Sequence, residues 1–478
     1  MLTEIANEES RLSLWLRVRE FAVPPSMIET ATDRRSAGDW AGACAAAHVD
    51  VDLDLRSLAR THGRALSSQV RADLRRLAPD LLRWHMPRIA PDGLLRPGLT
   101  LTLARYGDGG AGDPESPVHL VVRTPPAWAD AGQRISLALW HGPRADAPGA
   151  ARHPRPRPHP RFRLDLHRHL WDATRTAELR TRAGTAGPGA PPSLGDPVLD
   201  ARVATAVAPG RACAVGRWAA EAAIALRADG RSSGPVTVRL GLRERLALEL
   251  AAGPDGTGPP VLRLAEPRAV TAAAPLVLPD AATWETPDAE LLRAGRITAD
   301  RLHPLVAAAL VPEHTEPPPS RGRSGPGRVR FVECRGQQHR IGLLDGALSA
   351  LDHDPVEVRR EELLAALSGT PLPCLQAIDE AHRRPECLVG VRERLDHGDI
   401  AGALAVVEHL LGPEAVLRGG GLKDALEDAA QGRIAYGLYR SGLSGPAPDR
   451  LPPAFLYSDK RRSRPSDHRS RPRHAHTC

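Results

Sequence analysis

Cysteine is scarce, at six in 478 residues with no C-x-x-C pair, which excludes a disulfide framework and makes reduced thiols the expectation. Aromatic residues make up 3% of the chain, too few to interleave with basic side chains along a dedicated nucleic-acid groove. Lysine occurs only at Lys423 and Lys460. Long apolar runs are missing too: the stretch 212–226 is interrupted by Arg217 and Glu221, well short of the roughly 18 consecutive apolar residues that cross a bilayer. No membrane partner is expected. The first twenty residues place Glu4, Glu8 and Glu9 ahead of any apolar run, whereas an export signal begins basic and then turns apolar. A cytoplasmic location follows as the expectation.

What is abundant is Gly (43), Pro (46) and Arg. The length suggests two to four domains at about 150 residues each, and the Gly and Pro content suggests long connections between them. The net charge of +7 is unevenly spread. Three Arg-rich stretches, 151–163, 321–330 and 458–478, hold five, four and seven basic residues against two acids, so the rest of the chain is acidic on balance. Arg enrichment beside Ala, Gly and Pro also marks a biased coding composition, and part of it therefore carries no function.

Periodicity divides the chain. The first 90 residues read as helices around 26–37, 40–47 and 67–83, followed by period-two alternation at 99–103, 118–122 and 135–139, the mark of a small antiparallel sheet. Segment 151–163, with proline at alternate positions, reads as a linker, since those prolines have no N–H to donate. A mixed α+β domain is expected over 164–312, with alternation at 236–242 and 246–250 suggesting a hairpin. A second linker at 313–328, a mainly helical domain at 329–445 and a disordered basic tail at 446–478 complete the division, the first domain being 1–150. The fold class expected is α+β: multidomain, predominantly helical, with small antiparallel sheets and a mainly α C-terminal domain.

Two segments 360 residues apart share one pattern, Gly-Asp-x-Ala-Gly-Ala, at 38–43 and 398–403. Glycine permits a left-handed exit from one helix, Asp caps the next, and small residues let the two helices approach. The pattern resembles the inter-helix turn of tetratricopeptide-type repeats, but without a tandem period of about 34 residues it implies αα-hairpins rather than a repeat array.

Several constellations could carry chemistry. In Val49-Asp-Val-Asp-Leu-Asp-Leu55, a strand would set Asp50, Asp52 and Asp54 on one face, where carboxylates could hold Mg²⁺ for phosphoryl transfer or nuclease chemistry. As an edge strand, the same acids would simply be solvated. Among the Cys and His residues between 334 and 387, Cys374, His382 and Cys387 could supply three Zn²⁺ ligands, and Cys334 with His339 or His353 could form a thiol-imidazole pair. The basic tail residues Lys460, Arg461, Arg462, Arg464, Arg469, Arg471 and Arg473 could contact nucleic acid. The glycine-rich stretches 107–112 and 419–424 fail as nucleotide-binding loops: prolines follow the first, and Asp424 would repel phosphate in the second. The histidines His153, His159, His167 and His169, and the terminal His474-x-His476-x-Cys478, fit adventitious metal binding. No catalytic residue is assigned and no cofactor is required, so the expectation is a non-enzymatic binding or scaffold protein with a protein partner met through helical hairpins.

Overall fold

The computed structural model describes residues 11–107, 117–130, 132–142, 153–183, 197–207, 211–241, 244–251, 260–265, 275–313, 330–334, 337–344, 347–368, 373–375, 387–411 and 421–443. The fold is α+β. The described residues open with a helix at 11–17 that continues through a π-helical turn, Val18–Ala22. The first αα-hairpin follows, Pro25–Ser36 (α1) and Trp40–Ala46 (α2), and leads into the strand Val49–Asp52 (β1). Leu55–His62 (α3), Arg64–Arg76 (α4) and Pro79–Trp84 (α5) come next. A single helix over 67–83 was the expectation; the break falls at Leu77 and Ala78 because Pro79 excludes helical backbone at the residue before it, and Ala78 is extended (φ −100°, ψ 96°).

Thr100–Tyr106 (β2), Val118–Arg123 (β3) and Ile135–Trp140 (β4) form the expected antiparallel meander. It gains a strand the sequence did not announce: β1 pairs parallel with β4, Val49 opposite Ile135, for a sheet order β1-β4-β3-β2. Alternation sorts the two faces. Val49, Leu101, Leu103, Leu120, Val122, Ile135 and Leu137 enter the core beneath helices α1 to α5, while Asp50, Asp52, Val121, Arg123 and Ala138 occupy the opposite face.

In its described part the 151–163 stretch is not a free linker. Its few N–H groups run along β2: His159 donates to the Thr100 carbonyl (2.9 Å), Thr102 donates to Phe162 (3.2 Å), and Arg163 forms a parallel bridge with Thr102. Proline at alternate positions leaves enough donors on one side for such an edge. The boundary drawn there therefore does not divide the core. Phe162, Leu164, Leu170 and Trp171 share the first core with Leu291 and Val306, from Pro287–Arg293 and Pro304–Leu310, and with Leu302 between those helices. That return is clamped by a buried ion pair, Arg19 to Asp288 through two bonds of 2.7 and 2.9 Å, with Trp84 Nε1 donating to the same carboxylate.

Between these two passes lies a second core. Pro197–Ala206 (α6) and Trp218–Ala228 (α7) pack on a sheet of Gly234–Arg239 (β5), Arg245–Ala251 (β6), Val261–Leu264 (β7) and Leu276–Val277 (β8), ordered β8-β5-β6-β7 around Trp218, Leu248 and Trp284. The expected hairpin is β5 and β6, with Val236 opposite Leu248.

The C-terminal third begins with an antiparallel sheet, Arg330–Cys334 (β9), Gln337–Leu344 (β10) and Ala347–Ala350 (β11), and a helix, Pro355–Ser368 (α8). The second αα-hairpin, Cys387–Asp396 (α9) and Ile400–Leu411 (α10), packs with Gly421–Ser441 (α11) around Val391, Leu395, Ala403 and Val407. The 313–328 linker, apart from Glu313, and the tail 446–478 lie outside the described residues.

Both shared patterns build the same turn. Gly38 (φ +78°) and Gly398 (φ +87°) take the left-handed conformation, and Asp39 and Asp399 accept from Gly42 N (2.8 Å) and Gly402 N (2.9 Å). The second glycine is needed for space: a Cβ at 42 or 402 would lie 2.0 or 2.2 Å from the capping carboxylate. Five residues before each Asp, an arginine reaches back to it, Arg34 at 3.3 Å and Arg394 at 2.6 Å.

Candidate functional site

The acidic stretch is divided among three tasks. β1 ends at Asp52, so Asp54 leaves the strand and becomes the N-cap of α3, accepting from Arg56 N and Ser57 N at 2.9 and 3.2 Å. Asp50 and Asp52 remain on one face, where α11 lies across them. Tyr436 donates to Asp50, and Arg440 pairs with Asp52 through both terminal guanidinium nitrogens. The match is geometric: two strand residues advance about 6.7 Å and four helical residues about 6 Å, so residues i and i+4 of the helix meet residues j and j+2 of the strand. Arg134 adds a bidentate grip on Asp50, and Tyr439 meets the Trp128 ring edge-on with centroids 5.5 Å apart. Burial would raise the Asp50 carboxyl, but bonds from Arg134 and Tyr436 overcome it and hold the group below its usual range. Burial, then Asp50 itself, pushes the Tyr436 phenol up, so it stays a donor. The expected three-carboxylate Mg²⁺ face is thereby replaced by a helix-docking strip.

The second hairpin is fastened separately, through its turn. Arg83 on α5, fully buried, donates to Ala22 O (2.8 Å), Gln133 O and His397 O (2.9 Å). Gly398 sits against the Gly132 backbone so closely that a Cβ would lie 2.2 Å from the carbonyl oxygen. Around the turn, Phe21 stacks on His397, Arg394 lies over the Phe21 ring, and Arg17 pairs with Glu393 at 3.3 Å. Burial first, then Arg88 and Arg83, lowers the His397 imidazole to about 3, leaving it neutral. The α9–α11 unit thus has its own small apolar core and meets the body through polar and aromatic contacts, the chemistry of an inter-domain interface.

A third assembly brings Cys334 and His353, one of the thiol-imidazole pairings expected from the sequence, together with Cys374. Cys334 ends β9, His353 follows β11, and Cys374 lies in a short helical turn, with their ligand atoms all within 4.8 Å of one another. Both cysteines are buried and free. His339 stacks on His353, ring centroids 4.3 Å apart. Among the described residues this is the one group of three or more side chains placed to share a metal ion. Of the expected set Cys374, His382 and Cys387, His382 lies outside the described residues and Cys387 opens α9.

The other candidates take structural roles. His153 Nε2 donates to Thr124 O (2.9 Å), and His167 lies 3.3 Å from buried Glu221. Of the two glycine-rich stretches, residues 108–112 and 419–420 lie outside the described residues, and Gly421 to Asp424 open α11. Lys460, Arg461, Arg462, Arg464, Arg469, Arg471 and Arg473 lie outside the described residues, as do His474, His476 and Cys478. Sequence reasoning missed Arg83, Tyr436 and Arg440. The i, i+4 spacing of Tyr436 and Arg440 was a readable signal, but nothing local connects it to a strand 386 residues away. No helix among the described residues is long and apolar enough to cross a membrane. Comparison with protein-family models, curated proteins and solved structures finds no match.

Proposed function

We propose that this chain is a binding protein that acts through protein–protein contacts of its second αα-hairpin and α11. The reading rests on Ile434 and Leu438, one turn apart on α11 and 56% and 40% exposed, while Tyr436 and Arg440 of the same helix turn toward the acidic strand. Leu404 on α10 is 41% exposed as well. An apolar pair at i and i+4 is what an amphipathic helix of a second protein would cover, each side chain contributing roughly 1 to 2 kcal/mol on burial. Phosphoryl transfer finds less support, because Asp50, Asp52 and Asp54 are each engaged by a different partner.

The test is affinity capture with the full chain, comparing wild type with an Ile434→Glu, Leu438→Glu double variant and with a polar control, Gln431→Glu, on the same helix. Proteins held by wild type and control but lost by the double variant support the proposal. An identical set from all three chains contradicts it.

A further inference from the structure

We propose that Cys334, His353 and Cys374 bind one Zn²⁺ ion that staples β9, the turn after β11 and the 373–375 segment together. Two thiolates and an imidazole are the donors zinc takes in structural sites. At Zn–S and Zn–N lengths of about 2.3 and 2.0 Å, tetrahedral ligand atoms stand about 3.5 to 3.8 Å apart. Here they lie within 4.8 Å of one another, so side-chain shifts of about 1 Å would close them on an ion.

Three further observations point the same way. His353 Nε2 and His339 Nδ1 are buried without a hydrogen-bond partner, an expense that a metal ligand or a neighbour of one would remove. Among the described residues, Cys334 and Cys374 are buried together with Ala350, and Val332, Val358 and Leu375 pack against them, an apolar setting for the three ligands. The charges balance as well: two thiolates, a neutral imidazole and Zn²⁺ sum to zero, which suits an apolar surround. Both thiols give up their protons to the ion, so binding weakens as the solution is acidified. The fourth position falls to water or to His339, stacked on His353.

The experiment is titration of the reduced, chelator-treated full chain with Co²⁺, followed by displacement with Zn²⁺. One equivalent should produce thiolate-to-cobalt charge-transfer absorption together with tetrahedral d–d bands, and Zn²⁺ should abolish both. Cys374→Ser and His353→Gln should each weaken binding by about 100-fold or more. Cys213→Ser, at a half-buried thiol in a different core, and Cys478→Ser, in the His-containing terminus, should leave the spectrum unchanged. Because the wild-type titration needs no variant to fold, it tests the site directly. Absence of the charge-transfer band at one equivalent would overturn the proposal. So would a band that survives Cys374→Ser, or a Cys334–Cys374 disulfide that forms equally readily with Zn²⁺ present.

Discussion

Replacing Arg83 by Met should loosen the second hairpin more than any exposed change within it. The arginine is fully buried and satisfies three carbonyls from three distant segments, at Ala22, Gln133 and His397. Burial, then repulsion from Arg134, lowers its guanidinium to about 10, which keeps it charged at neutral pH. Methionine preserves volume but removes every donor. Three charge-assisted bonds at roughly 1.5 to 3 kcal/mol each are lost, and relief of the several kcal/mol spent desolvating the guanidinium offsets part of that. The net cost is about 2 to 4 kcal/mol. Since the His397 carbonyl lies on the hairpin turn, much of this should surface as local opening. Amide hydrogen exchange across 387–411 should rise about 30- to 1000-fold if the whole cost is local, with smaller change in β2 to β4. Unchanged exchange in 387–411, with the variant folded, would refute the idea that Arg83 fastens the hairpin.

The duplicated turn supplies an internal comparison: Gly38→Ala, where a Cβ meets nothing within 4 Å, should cost about 1 kcal/mol from positive φ alone, while Gly398→Ala adds the collision with Gly132. Thermal denaturation should rank 398 clearly below 38, and limited proteolysis should cut 387–441 early only in the 398 variant. Asp52→Asn leaves a neutral partner for Arg440 at a site about a third exposed and should cost no more than about 1 kcal/mol, with no Mg²⁺ heat in calorimetry of either chain. Tyr436→Phe leaves half-buried Asp50 one donor short and should cost about 1 to 2 kcal/mol in denaturant unfolding. Acidification should undock the hairpin. A His397 pKa depressed from 6.5 to about 3 means that the unfolded state binds more protons, so stability is full above pH 6.5 and falls at up to roughly 1.4 kcal/mol per unit down to pH 3. His397→Gln should flatten that slope; an unchanged slope would count against the assignment.

Local chemistry was legible in the chain, and long-range chemistry was not. The Gly-Asp-x-Ala-Gly-Ala turns were readable because every contact that shapes them lies within a few residues. Alternation located β2 to β6, since a sheet with one face on the core writes its period into the sequence. The same alternation set Asp50 and Asp52 on one face, but a face does not reveal its occupant. Whether two aligned carboxylates meet Mg²⁺ or the Tyr436 and Arg440 of a distant helix depends on a contact nearly 390 residues long. The 151–163 stretch misled for a related reason: proline removes donors, yet the N–H of His159 sufficed to pair with an edge that composition cannot display. The sequence offered Cys334 with His353 but set Cys374 with His382 and Cys387, because the cluster joins residues from separate elements that spacing alone does not bring together.

The scarcity of lysine provides the most direct measurement of the binding role. Lys423 is the single lysine of the described chain and lies on α11, about 16 Å along the helix from Ile434 at 1.5 Å per residue. Amine-reactive cross-linking of the captured complex, read by mass spectrometry, should join the partner to Lys423, and the cross-link should vanish in the Ile434→Glu, Leu438→Glu chain. A partner that remains bound yet cross-links only to Lys460 or the N-terminal amine would contradict the claim that the second hairpin and α11 form the binding surface.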